Sequence, residues 1–125
     1  MSNPGLIKNY VAQAAINPFR IVRLGTADGT VTLATAATDL IIGVVADVGP
    51  AAGERCDVVH AWIAFTEAGA AITRGALVTS DAVGRAVTAA PAAGVNNRVL
   101  GLALESAVAA GDVIRVLVQG GQVQG

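Results

Sequence analysis

Ile42-Gly43-Val44-Val45-Ala46-Asp47 and Leu100-Gly101-Leu102-Ala103-Leu104-Glu105 follow one pattern of apolar residues, a glycine and a closing acid. At the same offset of 58 positions, Ala51-Ala52-Gly53-Glu54 matches Ala109-Ala110-Gly111-Asp112. Self-similarity at a fixed spacing indicates that one small architecture is built twice. We therefore predict that residues 42–59 and 100–117 form the same strand, loop and strand element, which leaves little of the chain for chemistry.

The segments that precede the two copies predict a β-hairpin in each half of the chain. Each consists of two short runs with β-strand character around a turn that contains glycine. The runs and turns are Phe19–Leu24, Asp28-Gly29 and Thr30–Leu33 in the first half, and Ala76–Thr79, Val83-Gly84 and Arg85–Thr88 in the second. Pro91 interrupts an Ala-rich segment that would otherwise favour a helix. The prediction is an all-β chain, a small β-barrel or sandwich of about eight short strands with an internal two-fold sequence repeat.

The domain organisation follows from the same pattern. Residues 1–17 show no sustained period and contain Pro4 and Gly5, which predicts an N-terminal arm. Residues 18–125 predict a single β domain of two similar halves, about 18–65 and 73–119. A chain of 125 residues is long enough to bury about two thirds of its unfolded surface and to fold on its own or as a small oligomer.

Composition excludes several classes of protein. Hydrophobic residues make up 54% of the chain and charged residues 14%, which excludes a disordered protein. The net charge of −1 gives no electrostatic attraction for nucleic acid, and the apolar runs are far shorter than the roughly 18 residues of a membrane span. The N-terminus lacks the pattern of a signal peptide, and the single cysteine, Cys56, implies no oxidising compartment. We expect no nucleic-acid or membrane partner, and folding in the cytosol.

The segment from residue 58 to residue 65 is the most informative strand. Successive strand side chains point to opposite faces, which places His60 and Trp62 on one face and Val59, Ile63 and Phe65 on the other. We expect the second face to meet the core, so the first face needs its own cover. That cover is either another part of the same domain or a second subunit, because tryptophan is enriched at interface centres. His60 and Trp62 are therefore the candidate oligomer contact.

No catalytic, cofactor-binding or metal-binding residue is predicted. His60 and Cys56 suggest a nucleophile and base, but alternation places Asp57 on the opposite face, where it cannot orient the imidazole. One histidine and one cysteine fall short of the ligands that a metal site needs. No phosphate-binding loop or nucleophile elbow occurs, and only four aromatic residues are present. We expect no enzymatic activity, no cofactor and no small-molecule substrate.

Six short segments carry a recognisable order and spacing. They are Lys8–Val11, Gly43-Val44-Val45, Ala51–Glu54, Ala70–Val78, Leu100–Glu105 and Ala110–Asp112. In this order and spacing the chain resembles the capsid cement (head decoration) proteins of tailed bacteriophages. The resemblance covers about residues 8–118 and departs from the family at Ala14-Ala15-Ile16-Asn17-Pro18, where a Gly-acidic turn is usual. It implies a small β-rich virion protein that folds in the host cytoplasm and binds the outside of an assembled capsid. It also implies that the protein stabilises the shell by bridging major capsid protein subunits, often as a trimer.

The N-terminal arm is the candidate capsid contact, with Ile7, Asn9 and Tyr10 as the residues that would order on the shell. Three other functions stay open. One is a carbohydrate-binding or adhesion module, although the chain has few aromatic residues for a sugar groove. A second is another virion component, such as a connector or spike subunit. The third is a small trimeric nucleotide hydrolase, for which no substrate loop is seen.

Overall fold

The computed structural model describes residues 6–125, and within them the chain forms ten β-strands and no helix. The first five strands are β1 (Ile7–Ala12), β2 (Ile21–Leu24), β3 (Thr30–Leu33), β4 (Ile41–Val45) and β5 (Arg55–Val59). The other five are β6 (Trp62–Glu67), β7 (Leu77–Ser80), β8 (Ala86–Thr88), β9 (Asn96–Ala103) and β10 (Val113–Gln124). The all-β prediction is confirmed, and so are both hairpins, in which β2 pairs with β3 and β7 with β8.

The ten strands divide into two sheets in chain order. The first five form a closed barrel in the order β1-β3-β2-β4-β5, and β5 returns to pair with β1. The last five form a sheet in the order β6-β10-β9-β7-β8. Its two end strands approach each other at one parallel bridge between Ala68 and Ala86. We call residues 7–59 the first unit and residues 62–124 the second unit.

The hydrogen bonds that close the two units match one another. In the first unit the N–H of Ala12 donates to the carbonyl of Glu54 at 2.8 Å, and the parallel partner of Ala12 on β3 is Val31. In the second unit the N–H of Ala68 donates to the carbonyl of Asp112 at 2.7 Å, and its parallel partner is Ala86. Strand β6 therefore has the position in the second unit that β1 has in the first. The two-fold repeat in the sequence itself stays a prediction.

The glycine of each repeated segment lies where two strands approach most closely. A Cβ atom on Gly43 would collide with the carbonyl oxygen of Val59, and one on Gly101 would collide with that of Leu117. Both obstacles are backbone atoms of the next strand, so no side chain could rotate away to make room. Glycine is required here because only a residue without Cβ lets the neighbouring backbone come so near.

Two hydrophobic clusters stabilise the fold. One fills the barrel and consists of Ala12, Ile16, Val22, Val31, Val45, Cys56 and Val58. The other fills the second unit and extends to the outer surface of the barrel, where Ile21, Val44 and Val59 pack with Leu100 and Val118. Apolar burial of this kind contributes about 25 cal/mol per Å² removed from water. Because the second cluster is shared, the barrel and the sheet are held together as one body.

The predicted N-terminal arm is wrong for residues 7–12, which form strand β1. Residues Ile7–Val11 pair with Val59–Arg55 of β5 in antiparallel register. The first half of this strand extends beyond the barrel, and only Ala12 of its six residues is fully buried. The sequence therefore lacks the alternation of apolar and polar residues that would indicate a strand. Residues 1–5 of the predicted arm lie outside the described residues.

The predicted single strand from residue 58 to residue 65 is also wrong. It divides at His60 and Ala61 into β5 and β6, and Trp62 adopts a φ of 72° as the chain passes from one sheet to the other. This passage reverses the expected faces, since Ala64 and Thr66 are buried whereas Phe65 is 49% exposed. The predicted halves, about 18–65 and 73–119, therefore differ from the structural units, because β6 belongs to the second unit.

Candidate interaction surface

An apolar groove lies where β1, β5 and β6 meet. It has a volume of about 570 Å³ and is lined by Ile7, Phe19, Val45, Ala46, Asp47, Val59, Ile63, Ala64, Phe65 and Arg115. Phe19 and Phe65 pack edge to face at a centroid distance of 6.5 Å. A groove of this size and apolar character can receive one or more apolar side chains.

The position of Phe19 is fixed by hydrogen bonds to both units. Its N–H donates to the carbonyl of Val45 at 3.0 Å, and its carbonyl accepts from the N–H of Glu67 at 2.9 Å. The neighbouring Arg20 pairs with the Glu67 carboxylate at 3.3 Å. These contacts hold Phe19 at a φ of 65°, a region that bulky residues rarely adopt.

Trp62 lies immediately before Ile63, one of the residues that line the groove. It is 59% exposed, and its partner on β10 is Val118. The sequence predicted that this side chain needs a cover from elsewhere, and the structure shows that the described part of the chain leaves more than half of it uncovered. The oligomer contact at His60 and Trp62 stays a prediction.

His60 is half-buried and interacts with Tyr10, a residue of the other predicted site. The Tyr10 hydroxyl and His60 Nε2 are 2.7 Å apart, and the two rings lie 5.3 Å apart between centroids. Burial lowers the pKa of His60 from 6.5, and the charge of Lys8 lowers it further. The candidate capsid contact and the candidate oligomer contact are therefore neighbours, which sequence separation alone could not indicate.

Asn9, the third residue of the candidate capsid contact, belongs to a polar network on the outside of the barrel. Its side-chain oxygen accepts a hydrogen bond from Arg55 at 2.8 Å, and its amide nitrogen donates to Asp57 at 3.3 Å. Ile7, at the start of the same strand, is 42% exposed. This arrangement attaches β1 to β5 and leaves a polar surface towards solvent.

The group of Cys56, Asp57 and His60 does not form a nucleophile and base. The Cys56 side chain lies in the barrel core, and burial raises the pKa of its thiol, as does the charge of Asp57. Asp57 bonds to Asn9 on the outer surface. A thiol with a raised pKa is a poor nucleophile at neutral pH because the thiolate is the reactive form.

Two further observations concern ligands and membranes. Within residues 6–125, no three His, Cys, Asp or Glu side chains come together in a way that could hold a metal ion. In the same range there is no helix long and apolar enough to span a membrane.

Among the residues that line the groove, sequence reasoning selects Ile7 alone as a site residue, and it misses both phenylalanines. The sequence pattern predicts Phe19 as part of a strand, and alternation from Val59 predicts that Phe65 faces the core. The sequence offers no signal that would correct Phe65, because the polar residue Thr66 beside it is the one that is buried. No local signal indicates that Phe19 bridges two sheets, since this depends on contacts with β4 and β6.

Comparison with known proteins gives the family and one solved structure of similar fold. Among curated protein sequences, none matches the chain. A solved structure described as the head fiber gp8.5 N base in bacteriophage phi29 is similar to this chain with a TM-score of 0.70. The two share 19% sequence identity over 91% of this chain and 93% of the other, which shows a common fold. The family model for phage cement proteins matches residues 3–118. This chain therefore belongs to the phage cement protein family, and it is a structural component of a phage virion.

Proposed function

We propose that this protein binds the outer surface of an assembled phage capsid and stabilises the shell by bridging major capsid protein subunits. The observation that carries the proposal is the family match over residues 3–118. The likeness to the base of a phage head fiber supports it, since that base is a part of a phage head. We propose further that the protein folds in the host cytoplasm and acts as a homo-oligomer, with a trimer favoured.

Oligomeric attachment suits the composition of the surface. Exposed residues such as Val48, Val83 and Val108 are small, and small side chains lose little conformational freedom when they are fixed in an interface. Each contact of this kind is weak. An oligomer that engages several shell subunits at once raises the overall affinity, because every contact after the first is intramolecular.

The outer surface of the first unit is the proposed capsid contact, with Asn9 exposed on it and Tyr10 as a support from the side. Ile7 is the exposed residue at its edge, where the groove begins. Asn9, Arg55 and Asp57 give this surface polar groups with defined positions. Interfaces between proteins that fold separately are about as polar as the rest of the surface. A protein added to a finished shell makes an interface of this class.

Co-sedimentation with undecorated capsids tests the function. We expect the wild-type chain to pellet with the capsids and to raise the temperature at which they release their genome or fall apart. Arg55→Glu should weaken binding. Arg74→Glu changes another exposed arginine, in a loop of the second unit, and should bind as the wild type does. Deleting β1 would not serve as a test, because it would open the barrel. Wild-type protein that stays in the supernatant would contradict the proposed function.

A further inference from the structure

The two units have matching strands, so the residues at equivalent positions on their outer surfaces can be compared. On the first unit, Asn9 lies opposite Asp57 in the strand pairing, and Val11 lies opposite Arg55. The matching pairs on the second unit are Phe65 with Arg115 and Glu67 with Val113. Asn9 is thus replaced by Phe65, and Arg55 by Val113.

The fold therefore does not require apolar residues at these positions. A polar network occupies them on the first unit, and the closing hydrogen bonds have the same geometry in both units. Phe65 and Val113 are nevertheless 49% and 44% exposed on the second unit. Large exposed apolar residues that the fold does not need indicate an interaction surface.

Backbone strain is concentrated at the same place. Among the described residues, Phe19 and Trp62 are the two that have a positive φ without being glycine, and both are aromatic. Phe19 lines the groove, and Trp62 directly precedes Ile63, which also lines it. Strained residues of this kind cost about 1–3 kcal/mol each and cluster at functional sites. This observation is independent of the comparison between the units.

The chain carries both a projecting side chain and a cavity near the junction of β5 and β6. Trp62 is 59% exposed, and the adjoining groove has a volume of about 570 Å³. The charges are also complementary. Asp47 lines the groove, Lys8 lies close enough to His60 to affect its titration, and within residues 6–125 neither charge has an ion-pair partner. Lys8 is thus a cation near His60, two residues before Trp62 in the chain. The groove contains the acid Asp47 and also Arg115, whose charge is paired with Glu105.

We propose that the groove and Trp62 form the contact between two copies of this chain, with Trp62 of one copy in the groove of the next. Lys8 of the first copy then lies near Asp47 of the second. Contacts within permanent oligomers are more apolar than contacts between separately folded partners, so the apolar surface fits a second copy better than a shell protein. The inference deepens the proposed function and rests on it, because it names the contact that multivalent attachment requires.

The mass of the purified chain in solution, measured by light scattering and sedimentation velocity, tests the proposal. Phe65→Asn introduces the residue that the first unit carries at the matching position, so the fold should tolerate it. Trp62→Gly removes the ring and relieves the positive φ. We expect either variant to weaken self-association about 30-fold or more, as loss of an interface anchor does. Leu24→Ala removes a side chain that is 44% exposed on β2 and does not line the groove, and it should associate as the wild type does.

A charge exchange gives a second readout. Lys8→Glu and Asp47→Lys should each weaken association by up to about fivefold, and the double variant should recover most of the loss. Wild-type protein that is monomeric at every concentration would overturn the inference, and so would a wild-type mass in both Trp62→Gly and Phe65→Asn. If these variants keep their mass but no longer bind capsids, the groove binds a shell protein and the inference is wrong while the proposed function stands. If wild-type protein forms oligomers that ignore capsids, the proposed function fails instead.

Discussion

Replacing Gly101 with alanine should destabilise the protein strongly, because the new Cβ has no space. It would collide with the carbonyl oxygen of Leu117 and lie 2.8 Å from the Leu117 carbonyl carbon and 3.0 Å from the nitrogen of Gln119. All three atoms are backbone of β10, so β9 and β10 would have to move apart. Overpacking a core costs about 1–3 kcal/mol, and each weakened ladder hydrogen bond adds about 1 kcal/mol. We expect a loss of about 3 kcal/mol, which for a chain of this size lowers Tm by about 12 °C.

Urea denaturation followed by circular dichroism measures this loss directly. Gly120→Ala is the matched control, since its Cβ would have no neighbour within 4 Å and its φ is not positive. It should change the free energy of unfolding by about 0.5 kcal/mol or less. A Gly101→Ala variant within about 1 kcal/mol of the wild type would refute the close approach of β9 and β10.

Three other predictions concern different parts of the fold. Gly43→Ala should lower the free energy of unfolding by about 3 kcal/mol, as Gly101→Ala does, because its Cβ meets the carbonyl oxygen of Val59 in the first unit. The same urea assay measures this loss. A much smaller loss would show that the two strand contacts differ. Leu100→Ala should lower the free energy of unfolding by about 2–5 kcal/mol, because Leu100 is 1% exposed in the cluster that joins the units. A smaller loss measured by calorimetry would indicate a looser core. The folded-state pKa of His60 lies below 6.5, so the unfolded chain takes up the proton first and stability falls as pH falls below 6.5. Wild-type protein should therefore lose more stability between about pH 7.5 and about pH 5.5 than His60→Gln does, and equal losses in urea titrations would exclude this contribution.

The sequence predicted the parts of the fold that local patterns determine. The hairpins follow from Asp28-Gly29 and Val83-Gly84, because Gly29 and Gly84 adopt the positive φ that such turns need. Gly43 and Gly101 marked the repeated strands, since close approach of backbones leaves no alternative to glycine. Periodicity and turn chemistry are local, which is why they can be read without knowledge of strand order.

The rest depends on contacts between distant segments. Strand β1 has only one fully buried residue, so its pattern does not show that it closes a barrel by pairing with β5, more than 40 residues later. The break at Trp62 has no glycine or proline to mark it, and every face assigned beyond it was reversed. Tyr10 and His60 were each chosen as candidates for separate reasons, and only the closed barrel brings them together.

Electron cryomicroscopy of undecorated capsids mixed with this protein tests the central claim most directly. The account predicts additional density on the outer surface of the shell, into which two five-stranded units fit, touching at least two neighbouring subunits of the major capsid protein. A shell that shows no added density, or density on its inner surface alone, would contradict it.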